Sequence, residues 1–389
     1  MKRLILTLFA LWLWSATAVA KDEPIVIEVP NASAQATALR VIEHPLDALT
    51  GDFAVKGPDG KEVPAAYDAK AKLLRFLGRV PAGGGKFTLN KGTKSSAKLP
   101  AWKKPKVKQE KLKIENETID WASTSLDNGL VSATVQPVKS LPGRLEIKAL
   151  KGDYAFSLSP LGSSVGCVET EAEGKKVDDD YSKGVKSSPE LFKLIPCIPV
   201  AITIAEPDPF RRVIKVTCFV YARKNEGVVP KLFDFVGYDV QLTWNSPVVT
   251  ITSTRKQTKS YYNHNGVDLN EIFIDQLPIG YQADDGEMAD TKLAPGGDVL
   301  ALKFDRAMLI RDKTGSTVVM QPDFKRLSIY KACVVLASDR IMTIQSQSWH
   351  EGWKPIEIKA GDYVDTMTLA CDVGAEAKTL KDWTVELLP

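Results

Sequence analysis

Short runs of β-branched and aromatic residues recur along most of this 389-residue chain. Examples are VIKVTCFVYA, VVTITSTR, CVVLAS, IMTIQSQSW and TMTLACDV, with Gly, Pro, Asn or Asp in the stretches between such runs. Runs of this length and composition are typical of β-strands, because branched side chains pack well on a pleated surface. The best helix candidate is SSPELFKLI, residues 187–195, where serine precedes apolar residues at helical spacing. The sequence therefore predicts an all-β protein with a helical turn or two.

The strand-like runs fall into two groups on either side of a basic segment. Before it, residues 21–100 contain a turn dipeptide in PDGKEVPA and a loop in GRVPAGGGKFTL, a pattern that suits a small β-sandwich domain. The segment itself, residues 101–111, is interpreted as a solvated basic linker, with a patch for an acidic polymer as the alternative. The remaining residues, 112–389, are numerous enough for one large β domain.

Three segments of the large domain resemble strands of the galactose mutarotase-like super-sandwich domains. They are LKIENETIDWASTSLDNGLVSATV at residues 112–135, YDVQLTWNSPVVTITSTRKQT at 238–258 and PIEIKAGDYVDTMTLACDV at 355–373. The resemblance implies a large super-sandwich behind the small N-terminal β-sandwich. Families with this domain are mostly carbohydrate-active, so the resemblance also implies a polysaccharide or oligosaccharide as the partner.

The first twenty residues have the pattern of an export signal. Lys2 and Arg3 precede the apolar stretch LILTLFALWLW, and Ala18-Val19-Ala20 forms a small-residue cleavage site. We therefore expect a signal peptide at 1–20, a periplasmic or secreted protein, and no membrane insertion of the mature chain. Loss of the two basic residues reduces the formal net charge from +3 to +1. A chain so nearly neutral argues against a nucleic-acid partner.

The segment KSYYNHNGVDLNE gathers tyrosine, histidine and asparagine around one glycine. Cleavage of an acidic polysaccharide by β-elimination needs a group that neutralises the uronate carboxylate and a group that removes the α-proton. Tyr262 and His264 are candidates for the proton transfers, and Arg255 is the candidate cation. Asn263 and Asn265 are candidates for holding the carboxylate. The alternative interpretation is a polar turn between two strands.

A second candidate segment is SQSWHEGWKP. Trp349 and Trp353 can form an aromatic platform for the faces of sugar rings, and His350 and Glu351 can bond the hydroxyl groups. The alternative is that both tryptophans pack within the sandwich. If His264 and His350 belong to one pocket, the two segments form a single site.

The sequence predicts neither a cofactor nor a metal ion. It contains no HExxH, no phosphate-binding Gly-Lys loop and no GxSxG elbow. Residues 177–190 match a calcium loop only superficially, because Tyr181 and Lys183 occupy ligand positions.

All five cysteines lie after residue 160. Cys218, Cys333 and Cys371 occur in apolar runs, where cysteine acts as a small buried hydrophobe. An exported protein also permits a disulfide between Cys167 and Cys197.

These patterns lead to two functional hypotheses. The first is an exported carbohydrate-active protein that acts on a polysaccharide by β-elimination on a uronate, as a polysaccharide lyase does. The second is a non-catalytic glycan-binding or cell-envelope protein. A lyase forms a product that absorbs in the ultraviolet, whereas a binding protein does not.

Overall fold

The computed structural model describes most of the chain from Glu23 to Leu387. The described residues are 23–114, 117–136, 144–150, 155–160, 167–169, 191–224, 227–228, 233–258, 260–263, 267–274, 280–283, 289–290, 302–304, 307–311, 316–320, 332–337, 342–347, 356–358, 360–372 and 380–387. Nearly all the secondary structure among them is strand, so the all-β prediction is confirmed. No helix within these ranges has the length and apolar character needed to span a bilayer.

The first seven strands form a small sandwich of two antiparallel sheets. The strands are β1 (Ile25–Val29), β2 (Arg40–Pro45), β3 (Phe53–Lys56), β4 (Glu62–Val63), β5 (Ala65–Asp68), β6 (Leu73–Gly78) and β7 (Gly85–Lys91). One sheet has the order β1-β7-β3-β4 and the other β2-β6-β5. Side chains from both sheets alternate into a shared core, where the rings of Phe76 and Phe87 lie 4.9 Å apart. The Asp-Gly dipeptide forms the β3–β4 turn, with Gly60 at a φ of 77°.

The rest of the chain supplies two larger antiparallel sheets. Its strands are β8 (Lys108–Ile114), β9 (Glu117–Asp127), β10 (Val131–Gln136), β11 (Arg144–Ala149), β12 (Ala155–Pro160), β13 (Cys167–Glu169), β14 (Leu191–Asp208), β15 (Arg211–Lys224), β16 (Gly227–Val228), β17 (Phe233–Thr243), β18 (Val248–Gln257), β19 (Tyr261–Asn263), β20 (Val267–Ile274), β21 (Gly280–Ala283), β22 (Ala289–Asp290), β23 (Leu302–Phe304), β24 (Ala307–Arg311), β25 (Ser316–Met320), β26 (Ala332–Ala337), β27 (Met342–Gln347), β28 (Ile356–Ile358) and β29 (Gly361–Asp372). A helix, α1 (Leu380–Leu387), follows them.

The two larger sheets stack as a sandwich around a continuous apolar interior. The nine-stranded sheet has the order β23-β26-β27-β20-β12-β11-β10-β9-β8, and the thirteen-stranded sheet has the order β22-β21-β24-β25-β29-β18-β17-β15-β14-β13-β19-β28, with β16 beside β15. Buried residues at alternate positions of β10 belong to the same core as those of β17 and β18; they are Val131, Ala133 and Val135 from one sheet and Val240 and Ile251 from the other.

The prediction of a helix at 187–195 is wrong for residues 191–195, the part of this segment that the structure describes. Leu191–Asp208 is a single long strand, β14, which pairs with β15 along most of its length. The apolar spacing in ELFKLI suits a helix locally, but pairing with a long neighbouring strand determines its structure. Among the described residues, helix α1 packs Leu380 and Trp383 against Leu309 and Ala370.

The strand register bears on the bridge that the sequence permits between Cys167 and Cys197. Cys167 pairs with Phe192, and Cys197 lies five residues further along β14. Five residues of strand span about 16 Å, whereas Cα atoms joined by a disulfide lie within about 7 Å. Cys218 and Cys371 are buried, as the sequence predicts.

The small sandwich is attached to the large one by the segment that the sequence identifies as a linker. Trp102 donates its indole N–H to the carbonyl of Pro209 at 3.0 Å, and its ring lies 5.1 Å from that of Trp244. Residues 108–111 of the same segment belong to β8. The linker is therefore anchored to the β14–β15 turn at one end and paired in a sheet at the other.

Candidate functional site

The strands that carry the predicted site form one long antiparallel ribbon. β18 pairs with β29, and β19, which follows β18, pairs with β28, which precedes β29. Three residues separate Gln257 from Tyr261, whereas two separate Ile358 from Gly361, so the register shifts by one residue. At this shift the hydroxyl of Ser260 accepts a hydrogen bond from the backbone N–H of Ala360 at 2.9 Å. An extra residue on one strand bends the ribbon and changes the direction of the side chains that follow.

Beyond the shift, the ribbon brings together the ends of both predicted loops. Asn263, the last residue of β19, pairs with Ile356, the first residue of β28. Val267, the first residue of β20, pairs with Gln347, the last residue of β27. Segment 264–266 connects Asn263 to Val267, and segment 348–355 connects Gln347 to Ile356. Both segments are therefore flanked by the same two backbone pairs, one in the thirteen-stranded sheet and one in the nine-stranded sheet. We call these two pairs and the segments between them the sheet junction.

Most of the predicted site residues belong to these two segments. His264, Asn265, Trp349, His350, Glu351 and Trp353 lie outside the described residues. The structure describes the backbone pairs on which their segments begin and end. Paired residues on antiparallel strands have Cα atoms about 4.5–5.5 Å apart, which is the separation of the residues that flank the two segments in each sheet.

The register of β19 separates two residues that the sequence places in one site. Tyr262 pairs with Val168 on one side and Glu357 on the other, whereas Asn263 pairs with Cys167 and Ile356. Successive residues of a strand face opposite sides of the sheet. Tyr262 and Asn263 consequently belong to opposite faces of β19.

Glu357 was not identified from the sequence. It lies in the run Ile356-Glu357-Ile358, whose alternation indicates a strand with one polar position. The alternation shows that Glu357 differs in face from its neighbours. It contains no information about the partner strand, so the pairing with Tyr262 could be seen only in the fold.

Arg255 lies on β18, before the register shift. It is 5% exposed, and its guanidinium carbon lies 4.6 Å from the ring centroid of Tyr363, which is its partner in the register. An aromatic face stabilises a buried guanidinium through the ring quadrupole. Tyr262 belongs to the next strand pair, where its partner is Glu357. The register therefore places Arg255 and Tyr262 at different levels of the ribbon.

The inner face of the thirteen-stranded sheet changes from apolar to polar along β18. Val249 and Ile251 lie in the apolar core, whereas Ser253, Arg255 and Gln257 continue the same face and are also buried. The alternation of β18 thus places a polar end on the inner face, on the side nearest the sheet junction. This distribution could be predicted only in part, because the alternating sequence shows which residues share a face but not which face is inside.

The small sandwich contains a separate cleft of about 780 Å³, lined in part by Pro30, Pro58 and Gly84. At its rim the ammonium of Lys86 lies 2.9 Å from a carboxylate oxygen of Glu28. The hydrogen bond from Lys86 to Glu28 raises the pKa of Lys86 above its ordinary value. Within the described residues, no group of three His, Cys, Asp or Glu side chains is placed to hold a metal ion. The acidic segment at 177–190 lies outside the described residues.

Comparison with known proteins gives structural likeness only. No protein-family model matches the chain, and no curated protein matches it. An α-mannosidase from Enterococcus faecalis V583 is 13% identical, with a TM-score of 0.47 over 91% of this chain and 43% of the mannosidase. A galactose mutarotase-like protein from Clostridium acetobutylicum is 12% identical, with a TM-score of 0.33 over 69% of this chain and 98% of that protein. A TPR-domain containing protein from Parabacteroides distasonis ATCC 8503 is 7% identical, with a TM-score of 0.33 over 90% of this chain and 59% of that protein. The chain spans less than half the length of the mannosidase that it resembles.

Proposed function

We propose that this chain is an exported carbohydrate-active protein that acts on a polysaccharide at the sheet junction, by β-elimination on a uronate. The observation that supports the proposal is the pairing of Asn263 with Ile356 and of Val267 with Gln347. It gives the histidine-containing segment 264–266 and the tryptophan-containing segment 348–355 common ends in both sheets. These segments contain groups suited to proton transfer and to sugar stacking.

Chain length limits how far the key residues lie from the paired ends. Consecutive Cα atoms are about 3.8 Å apart, so His264 is one such step from Asn263. Trp353 is three residues from Ile356, which places its Cα within about 11 Å of that residue. Asn263 and Ile356 are paired, and the proposal is that a sugar chain a few residues long contacts both segments.

The proposed reaction needs only proton transfers and charge stabilisation. A base removes the proton from the carbon next to the uronate carboxylate, and the electron pair of that C–H bond forms the new C=C bond. The bond from the adjacent carbon to the glycosidic oxygen breaks, and an acid gives that oxygen a proton. Tyr262 and His264 supply the acid and the base, and Asn265 stabilises the carboxylate. Trp349 and Trp353 stack on the neighbouring sugars, while His350 and Glu351 bond their hydroxyl groups.

A second candidate function is non-catalytic glycan binding, and the position of Arg255 favours it. Arg255 is buried beside Tyr363 and lies before the register shift, away from the level of Tyr262. If no cation reaches the uronate carboxylate, the α-proton stays weakly acidic and the junction binds sugar without cleaving it. The two functions use the same surface but differ in the outcome for the polymer.

The experiment that separates them uses the purified protein and a panel of uronate-containing and neutral polysaccharides. Ultraviolet absorbance reports the new double bond, and calorimetry reports binding. We expect absorbance to rise with at least one uronate polymer and with none of the neutral ones. Binding without any absorbance change supports the second function. Neither binding nor absorbance on any polymer overturns the carbohydrate proposal.

A further inference from the structure

Lysines are concentrated in one short segment of the chain. Residues 94–113 contain eight lysines, one glutamate and no arginine, and all eight lysines are exposed. Eight positive charges and one negative charge give this segment a formal net charge of +7, whereas the whole chain has +3. All other residues together therefore have a net charge of −4. We call residues 94–113 the lysine strap.

The lysine strap is held in place by contacts along its length. Near its start, the backbone N–H of Ser96 donates to a carboxylate oxygen of Glu62 at 2.6 Å. In its middle, the indole of Trp102 is anchored to the β14–β15 turn. Thr124 donates its hydroxyl to the carbonyl of Lys106 at 3.1 Å, and the strap then pairs with β9 as strand β8. The lysines are therefore carried by a backbone of fixed course, unlike those of a flexible linker.

Little of this positive charge is neutralised by neighbouring acids. The ammonium of Lys111 lies 3.1 Å from a carboxylate oxygen of Asp120, and within the described part of the chain no other strap lysine has a carboxylate at ion-pair distance. β8 is the last strand of its sheet, and lysines on an edge strand can prevent pairing with another chain. That explanation applies to the lysines of β8 only. Three further lysines lie outside any strand, namely Lys103, Lys104 and Lys106.

We infer that the lysine strap is a docking surface for an acidic polysaccharide, which extends onto it from the sheet junction. This inference rests on the proposed function, which makes the polymer a polyuronate. A polyuronate carries one carboxylate on each sugar, so a single chain that follows the strap can neutralise several ammonium groups. Charge complementarity of this kind raises the local concentration of the polymer and its rate of encounter with the protein.

The position of β8 determines which ligands the strap can affect. In the nine-stranded sheet β8 is five strands from β20, the strand that begins at the sheet junction. Neighbouring strands lie about 4.8 Å apart, so β8 and β20 are separated by about 24 Å across the sheet. A long polymer can span this distance, whereas a short oligosaccharide bound at the junction cannot. The strap should therefore strengthen the binding of polymers and leave the binding of short fragments unchanged.

Other polyanions fit the strap less well. Arginine matches the geometry of a phosphate group with two parallel hydrogen bonds, and it is favoured in nucleic-acid recognition, but the strap contains none. An anionic membrane presents its charge to a whole side of a protein. The residues outside the strap have a net negative charge, which opposes contact with such a surface. A single polymer chain needs to contact only the strap.

The test is calorimetry of the intact protein with polygalacturonate and alginate, with dextran as the neutral polymer. The strap triple variant combines Lys103→Gln, Lys104→Gln and Lys106→Gln. We expect its Kd for the polyuronates to rise about ten-fold at low salt, roughly a factor of two for each exposed charge contact. The difference should shrink as salt is added, because the Debye length falls from about 10 Å at 0.1 M to about 3 Å at 1 M. The Kd for a galacturonate trisaccharide should stay unchanged.

Two matched variants control for net charge and for folding. The first removes three exposed lysines from the β3–β4 and β5–β6 turns of the small sandwich and should bind polyuronate like the wild type; it combines Lys61→Gln, Lys70→Gln and Lys72→Gln. The second keeps the strap charge with arginine at 103, 104 and 106 and should also bind like the wild type. Thermal unfolding checks that all the variants are folded.

The outcomes separate the inference from the proposed function. Strap-dependent binding of polyuronate without any rise in ultraviolet absorbance supports the inference and contradicts the elimination. Rising absorbance with equal Kd values for the wild type and the strap triple variant supports the proposed function and overturns the inference.

Four other results also overturn the inference. They are no binding to either polyuronate, an equal loss in the small-sandwich control, an equal loss for the trisaccharide, and tighter strap-dependent binding to DNA or to phosphatidylserine vesicles than to polyuronate.

Discussion

Asn128, in the turn between β9 and β10, donates its side-chain amide to the carbonyl of Thr243, at the end of β17, over 2.7 Å. The same amide donates to the carbonyl of Ser246 at 2.8 Å, and its oxygen accepts from the N–H groups of Leu130 and Val131. β9 and β10 belong to the nine-stranded sheet and β17 to the thirteen-stranded sheet. One fully buried side chain therefore joins the turns of both large sheets with all its hydrogen-bonding groups satisfied.

We expect Asn128→Ala to be strongly destabilising. The change leaves several buried backbone groups without their partner, and each such group costs about 1–3 kcal/mol. The expected loss in the free energy of unfolding is about 3–5 kcal/mol, measured by urea denaturation. Ser125→Ala, on the exposed face of β9, is the control and should change stability by less than about 0.5 kcal/mol. Similar losses in the two variants would show that the sheets are held together elsewhere.

The parts of the fold that the sequence predicts are the ones set by local pattern. The alternation in β18 matches its alternating burial, and the Asp-Gly dipeptide forms the turn before β4. Strand pairing is different, because alternation shows which residues share a face but not which strand lies alongside. The pair Asn263–Ile356, on which the candidate site depends, joins distant parts of the chain and has no local signal.

The same distinction explains the wrong helix prediction. ELFKLI has apolar residues at a spacing that fits a short helix, but long-range pairing with β15 makes it part of a strand. Irregular sequence around Cys167 and Cys197 likewise leaves a bridge between them permitted. The register of β13 on β14 separates them along the strand. In both cases the deciding interaction joins strands whose pairing leaves no mark on the local sequence.

Glu43 of the small sandwich gives a prediction for acid stability. Partial burial raises the pKa of Glu43, but hydrogen bonds and charges from Arg75 and Arg211 lower it by more, to below its ordinary value of 4.5. Because folding lowers this pKa, the interaction stabilises the protein above the ordinary value, and the stabilisation is lost as the pH falls through the folded-state pKa. Glu43 is 39% exposed on its side chain, so solvent screening limits the effect to about 1 kcal/mol or less.

The measurement is thermal unfolding of the wild type and Glu43→Gln across the acid range. We expect the variant to melt lower at neutral pH, and the difference to shrink steadily once the pH is below 4.5. Glu110→Gln, an exposed position on β8, serves as the control and should show no such convergence. A difference that stays constant with pH would contradict the assigned role of the ion pairs.

Trp102 should contribute to the attachment of the small sandwich through its indole N–H. Trp102→Phe keeps an aromatic ring near Trp244 and removes the hydrogen bond to Pro209, so we expect a loss of about 1 kcal/mol in the free energy of unfolding. Trp102→Ala also removes the ring and should cost more. Lys104→Ala, at an exposed position of the same segment, should be neutral. Equal stability of the Phe and wild-type proteins in denaturant titrations would show that the hydrogen bond contributes nothing.

If the chain is a lyase, Tyr262→Phe should lower its rate by about 10²–10⁴, because it removes a proton-transfer group and very little volume. Binding of the polymer should persist, which calorimetry checks. Tyr261→Phe makes the same chemical change on the opposite face of β19 and should leave the rate near that of the wild type. Equal losses in both variants would point to a general disturbance of the strand, and an unaltered rate in Tyr262→Phe would remove Tyr262 from the mechanism.

Trp353→Ala tests the sugar-stacking role of the second segment, and it applies whether or not the protein is catalytic. Loss of one aromatic platform should weaken polymer binding by about 1 kcal/mol, roughly a five-fold rise in Kd. Trp121→Ala on β9, which is not part of the sheet junction, is the comparison and should leave Kd unchanged as long as the variant is folded. Because segment 348–355 shares its paired ends with segment 264–266, Trp353→Ala combined with His264→Ala should deviate from additivity if both residues contact one sugar chain. Strict additivity of the two losses would indicate separate binding sites in spite of the common ends.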